Sequence, residues 1–159
     1  MAVKLAAAFG AEVTLLSSSP AKKADAARLG AHEFVVTSEK GALAAARNRF
    51  DFIVDTVSAP HDLGTYASLL RTNGVMILLG VPDQPATLPA FPLIMRRRSI
   101  AGSLIGGIAE TQEMLDFCAE RGIVSDVETI PIQDIDKAYD RMLKGDVRYR
   151  FVIDLKSLA

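Results

Sequence analysis

The stretch FDFIVDTV, residues 50–57, decides the fold. Its centre, Phe52-Ile53-Val54, is continuously apolar instead of alternating with polar residues. A strand without a polar face is expected to be buried on both sides, as in parallel sheets covered by helices. GVMILLG, residues 74–80, repeats the pattern between two glycines. Between them, HDLGTYASLLR (61–71) reads as a helix with Leu63, Tyr66 and Leu70 on one side. Strand, helix, strand is the unit from which parallel α/β sheets are built.

The same alternation extends in both directions. Upstream, AEVTLL (11–16) and EFVVT (33–37) read as short strands. SPAKKADAARLG (19–30) joins them as a helix, with Ser19 as its cap, Pro20 at the first helical position and Gly30 as its stop. SEKGALAAARN (38–48) is a short Ala-rich helix that Gly41 weakens, and MAVKLAAAFG opens the chain as a helix stopped by Gly10. Downstream, VPDQPATLPAFP (81–92) holds four prolines and must be a connecting loop or edge segment. SIAGSLIGG (99–107) is a strand running into a glycine-rich turn, and AETQEMLDFCAERG (109–122) is an amphipathic helix with Met114, Phe117 and Cys118 on its apolar stripe. The tail reads strand, helix, strand: VETIPI, then DIDKAYDRMLKG with Ile135, Ala138, Tyr139 and Met142 inward, then YRFVIDL. The expected architecture is a doubly wound parallel sheet.

At 159 residues, with 50% hydrophobic and 23% charged residues, the chain is the size and composition of one soluble globular domain. A net charge of −1 gives no global field towards nucleic acid or an anionic membrane. A single cysteine, Cys118, excludes an intrachain disulfide and fits a reducing cytoplasm. No apolar run approaches the length of a membrane span, and the N-terminus lacks a signal-peptide design, so a cytoplasmic domain is expected.

Catalytic constellations are thin. His32 follows a helix-ending Gly-Ala and reads as a turn residue; His61 precedes a helix and reads as a cap or surface residue. Cys118 reads as a buried structural thiol. No metal-spaced cluster, nucleophile elbow or Walker loop is present. Arg96-Arg97-Arg98 reads as a solvated face. No catalytic residue or metal ligand is expected in this chain.

The cofactor signal is stronger. In a dinucleotide fold the end of the second strand meets the adenosine ribose, and an acid there accepts hydrogen bonds from both hydroxyls. An acid repels a 2′-phosphate, whereas hydroxyls and cations hold one. LLSSSPAKK, residues 15–23, has no acid at that point and supplies hydroxyls and two lysines. The competing account, a helix cap at Ser19-Pro20 with surface lysines, explains Ser19 and leaves Ser17 and Ser18 without a role.

Taken together, MAVKLAAAFGAEVTLLSSSPAKKADAARLGA, FDFIVDTV, LLGVP, GSLIGG, EMLDFCAERGI and DVRYRFVIDL resemble the cofactor half of zinc-dependent medium-chain alcohol dehydrogenases, specifically the cinnamyl-alcohol-dehydrogenase-like branch. The resemblance implies an NADP(H)-binding Rossmann fold and hydride transfer between NADPH and an aldehyde, with zinc only in the full-length enzyme. By position, it puts Ser17 in the place of the NAD-selecting acid. Ser18, Ser19 and Lys22 would complete a 2′-phosphate pocket, with Lys23 beside them. It puts Thr56 and Val57 along the adenosine and nicotinamide-ribose side, and Gly80 and Val81 at the nicotinamide ribose. Ser103, Leu104 and Ile105 would meet the carboxamide, and Arg148 would reach the pyrophosphate.

The resemblance also marks departures. The family's zinc ligands and proton relay lie in an N-terminal domain with no counterpart in these residues, and the first strand and its glycine-rich turn are lacking too. Met1 thus looks like an internal methionine of a longer enzyme. Residues 1–123 would be a partial NADP-binding Rossmann domain, and 124–159 a return segment that normally packs on the catalytic domain, leaving apolar surface exposed. In the order 3-2-1-4-5-6 the lacking strand is central, so a gap between two interior strands is expected. Each buried unpaired backbone group there costs about 1–3 kcal/mol.

The expected function is therefore the cofactor-binding portion of an alcohol dehydrogenase, inactive alone and dimerising through the strand near Ser99–Ser103. The alternative is a non-enzymatic nucleotide-binding or dimerising fragment. A nucleoside-binding methyltransferase shares the sheet logic, but Ser17 and the tail after residue 124 argue against it.

Overall fold

The computed structural model describes residues 1–158. Seven helices alternate with seven strands among them: α1 (Ala2–Ala8), β1 (Thr14–Ser17), α2 (Lys23–Arg28), β2 (Glu33–Val36), α3 (Ala42–Ala45), β3 (Phe50–Asp55), α4 (Leu63–Ala67), β4 (Leu70–Leu78), α5 (Phe91–Ile94), β5 (Ser99–Gly102), α6 (Ile108–Glu120), β6 (Glu128–Pro131), α7 (Ile135–Leu143) and β7 (Phe151–Asp154). Every strand pair is parallel. This is the expected doubly wound α/β arrangement.

The sheet is interrupted where the expectation puts a gap. β2 pairs with β1, and β3, β4 and β5 pair in that order, but β1 and β3 share no ladder. In the doubly wound order the first strand would lie between them, and no strand of the described residues does. The two pieces nonetheless share apolar contacts. Leu69, Leu70 and Met76 are fully buried with Ala46, Ile53 and Leu63 around them, and Leu16 of β1 packs against this cluster.

Four local expectations are corrected. β3 is not buried on both faces: Ile53 and Asp55 point inward, whereas Phe52 is 67% and Val54 49% exposed. A continuous apolar run calls for cover on two sides; among the described residues Ile53 finds it against Leu43, Ala46 and Leu63, and Phe52 and Val54 do not. α4 spans five residues, shorter than the segment 61–71, because Leu69 and Leu70 carry the chain into the core and Leu70 already pairs with Phe50. On α7, Ala138 is buried but Tyr139 and Met142 are exposed; the neighbouring β6–β7 sheet is two strands wide among the described residues.

The fourth correction is Arg98, which is not solvated. Its guanidinium is buried and donates to Leu70 O (2.8 Å), Pro92 O (2.8 Å), Asn48 Oδ1 (2.8 Å) and Ser68 O (3.1 Å). Burial lowers its pKa from the ordinary value, and the neighbouring guanidiniums of Arg96 and Arg47 add to this. Four oxygens offset the desolvation of one cation. Arg96 and Arg97 are exposed, as expected of a surface run.

The C-terminal segment is fastened to the first two helices by charge. Asp126 accepts from Lys4 of α1 at 2.7 Å and from Arg28 of α2 at 2.5 Å, and Lys4 also donates to Val124 O at 2.8 Å. Phe9, just after α1, stacks on Phe117 of α6 with ring centroids 4.6 Å apart. Leu143, Leu155 and Leu158 remain largely exposed.

Candidate functional site

Parallel strands deliver their C-terminal ends to one side of a sheet, where ligands of α/β folds gather. The ends of β3, β4 and β5 are knitted together there. The carbonyl of Asp55 accepts from Leu79 N (2.8 Å) and Gly80 N (3.1 Å), and that of Leu78 accepts from Ser103 N (3.1 Å). Gly80 lies so close to the preceding loop that a Cβ on it would stand 2.2 Å from Val57 O. Only glycine permits that approach. The structure therefore brings Thr56, Val57, Gly80, Val81 and Ser103 to one edge. Leu104 and Ile105 follow Ser103 with 86% and 90% of their surfaces exposed.

The end of β1 forms a separate cluster. Ser17 closes the strand, and its Oγ accepts from Ser19 N at 3.2 Å. Ser18 O accepts from Ser38 Oγ at 3.0 Å. Ser19 stands in the cap position of the 3-10 turn Pro20–Lys22, with Pro20 directly after it, but its side chain makes no capping bond. Ser19 thus caps by position and not through its hydroxyl, and Ser17 has a local role as acceptor for the Ser19 amide. Among the described residues, neither Lys22 nor Lys23 has an ion-pair partner, and both are exposed.

Arg148 belongs to neither edge directly. Its Nε lies 3.0 Å from Asp25 Oδ2 on α2, the helix that begins at Lys23. An anion bound by Arg148 would have to share it with that carboxylate.

His61 is neither a cap nor a free surface residue. The cap of α4 is Asp62, whose carboxylate accepts from Gly64 N at 2.9 Å and Thr65 Oγ1 at 2.6 Å. His61 turns back instead, with Nε2 2.8 Å from Asp55 Oδ2 and Nδ1 2.8 Å from Ala59 O. The Ala59 carbonyl first, and then Asp55, raise its pKa above the ordinary 6.5 against the opposing effect of burial. The pair lines a small cavity of about 130 Å³ closed by Leu63, Leu78, Gly80 and the proline-rich loop at Pro82, Gln84, Pro85 and Thr87. Sequence reading missed Asp55 and His61 as partners. The available signal was a carboxylate ending a buried strand with a histidine six residues on. His32 is the turn residue expected, its Nδ1 accepting from Val13 N at 3.0 Å.

Among the described residues, no three His, Cys, Asp or Glu side chains come together in a way that could hold a metal.

The family model described as zinc-binding dehydrogenase matches residues 1–120. The chain belongs to this family. Its similarity extends through the C-terminal segment as well. It is 54% identical over 160 residues to aldehyde reductase YahK of Escherichia coli, covering 100% of this chain and 46% of that protein. It is 52% identical over 158 residues to NADP-dependent alcohol dehydrogenase C of Mycobacterium bovis, again covering 46% of the relative. Among solved structures, a cinnamyl alcohol dehydrogenase of Sorghum bicolor superposes with a TM-score of 0.94 at 43% identity, covering 98% of this chain and 44% of that one. The chain thus spans less than half the length of the dehydrogenases it matches, and the part it matches is the α/β cofactor fold. No helix among the described residues is long and apolar enough to cross a membrane.

Proposed function

We propose that this chain is the NADP(H)-binding portion of an alcohol dehydrogenase that passes hydride between NADPH and an aldehyde. The observation that carries the reading is the end of β1: no carboxylate, three serines and two lysines with no ion-pair partner among the described residues, at the point where a doubly wound fold meets the adenosine ribose. Ser17, Ser18, Ser19 and Lys22, with Lys23 beside them, would hold the 2′-phosphate by hydroxyl and ammonium donors. Thr56, Val57, Gly80 and Val81 would line the ribose side. The backbone of Ser103, Leu104 and Ile105 would meet the carboxamide. Arg148 would reach the pyrophosphate in exchange for Asp25. NADPH supplies the hydride; the residues here bind and orient it. A relative named as NADP-dependent and another named as an aldehyde reductase support the cofactor and the substrate class.

The proposal includes a homodimer through β5, which among the described residues pairs with β4 alone and so offers an edge at Ser99–Gly102, and a cytoplasmic setting. The chain by itself is expected to oxidise no alcohol.

The test is a titration of the chain with NADPH and with NADH, followed by cofactor fluorescence. NADPH should bind more tightly, and Lys22→Ala should reduce that preference. Equal binding of the two cofactors, or a preference that Lys22→Ala leaves unchanged, would overturn the phosphate pocket.

A further inference from the structure

Asp55 and His61 lie outside the cofactor-facing set, yet they tie its members together. Asp55 is buried and its acceptors are all engaged. Oδ1 accepts from Val57 N at 3.0 Å, Oδ2 faces His61 Nε2 at 2.8 Å, and the carbonyl takes the Leu79 and Gly80 amides. His61 in turn has an oxygen 2.8 Å from each ring nitrogen, one from a carboxylate and one from a carbonyl. Neither oxygen can donate when Asp55 is ionised. Only the imidazolium, with two N–H groups, satisfies both; a neutral ring leaves a lone pair against an oxygen.

We propose that Asp55 and His61 are a positioning pair: His61 fixes the Asp55 carboxylate, and Asp55 fixes Val57 and Gly80, the backbone ledge on which a nicotinamide ribose would lie. The inference rests on the NADP(H) reading and deepens it by naming what holds the ledge. It also makes the hold depend on pH. The groups facing His61 are Asp55 from β3, Asp62 beside it in the chain, and Tyr66 of α4, whose ring meets the imidazole edge-on at 5.4 Å. Both carboxylates favour the imidazolium, and burial opposes it. As pH rises through the raised pKa of His61, the remaining ring proton stays on Nε2 against the carboxylate, the bond to Ala59 O is lost, and Asp55 is held by a neutral donor in place of a charged one.

The experiment has a ligand-free arm and a cofactor arm. In the first, the His61 ring and the Val57 and Gly80 amides of the chain are followed by NMR from about pH 5.5 to 8.5, across the histidine range. The Val57 amide, bonded to the carboxylate, should shift with the midpoint of His61; the Gly80 amide, bonded to the Asp55 main-chain carbonyl, should shift less; and His61→Phe should abolish both shifts. His61→Gln keeps a neutral donor towards Asp55, so its amides should stay near the wild type's high-pH positions at every pH. In the second arm, NADPH affinity is read as the ratio of wild type to His61→Phe, which cancels titration of the 2′-phosphate itself. The ratio should be about fivefold at low pH, the weight of one hydrogen bond, and should shrink as pH rises, with His61→Gln falling between wild type and His61→Phe at low pH and not changing with pH. Amides that ignore the titration of His61, or a His61→Phe chain that binds NADPH like wild type, would overturn the proposal. Amides that follow His61 in a chain that binds no NADPH would support the positioning pair and defeat the cofactor reading on its own.

Discussion

The β3–β4–β5 sheet and the β1–β2 pair arise from the same strand–helix alternation, yet they are consolidated differently. The first holds the fully buried Leu70 and Met76 and is clasped by Arg98, whose guanidinium joins the start of β4 to residues 48, 68 and 92. In the second, no strand residue is fully buried, and β1 reaches the shared core through Leu16. The residues proposed to choose the cofactor sit on the less consolidated pair, and those proposed to seat the ribose sit on the other. Selection and seating are thus divided across the gap in the sheet.

The sharpest way to break that contrast is to hollow each side. Met76→Ala should cost about 2–5 kcal/mol in chemical denaturation, the range for deleting a buried side chain that neighbours cannot replace. Leu16→Ala, at a half-buried position, should cost about 1–2 kcal/mol. Equal losses would mean that the two pieces share one core without a weaker side.

A smaller effect separates three adjacent arginines. Arg98→Met removes a cation from four oxygens and should cost about 2 kcal/mol, the worth of hydrogen bonds to a charged donor. Arg96→Met and Arg97→Met should each stay within about 0.5 kcal/mol, as exposed substitutions do. If all three behave alike, the Arg98 clasp contributes nothing to the consolidation of this sheet.

The same three residues show what the sequence could and could not express. Strand identity was legible because apolar runs and glycine stops are local: β2 and the 75–78 part of β4 fall inside the segments read from periodicity. The gap was legible through the resemblance, which marks the first strand as lacking, and the doubly wound order, in which that strand is central. Arg98 was not, since its acceptors come from residues 48, 68, 70 and 92, distant in sequence and mostly backbone. His61 was misread for a related reason. Its helix-adjacent position suggested a cap, but Asp62 took the cap and freed His61 to reach back to Asp55. The exposure of Phe52 and Val54 was hidden because a run of apolar residues records what a strand needs, not what covers it. The polar end of β1 was legible by what it lacks, an acid.

The smallest expected effect tests how the C-terminal segment is attached to the β1–β2 side. Asp126 has its pKa lowered first by the hydrogen bond from Lys4 and then by that from Arg28, with desolvation opposing them. A carboxylate depressed below its ordinary 3.8 stabilises the attached state above that value and loses the contribution as pH falls through the lowered pKa. The segment should therefore loosen from α1 and α2 only below about pH 3.8. Glu128 complicates a global measurement, because its carboxylate is also depressed, first by the Arg148 amide and then by Arg141, within the segment itself. The readout must report the junction, and Tyr149 serves: its backbone N donates to Asp126 O at 3.1 Å, and its hydroxyl is influenced by Asp25 and Arg28. Its ring resonances should move with the acid transition in the wild type and not in Asp126→Asn. Because the ion pairs are partly exposed and screened by salt, the transition should also weaken with added salt. A Tyr149 signal that moves equally in both proteins would mean that packing, not the Asp126 ion pairs, holds the segment in place.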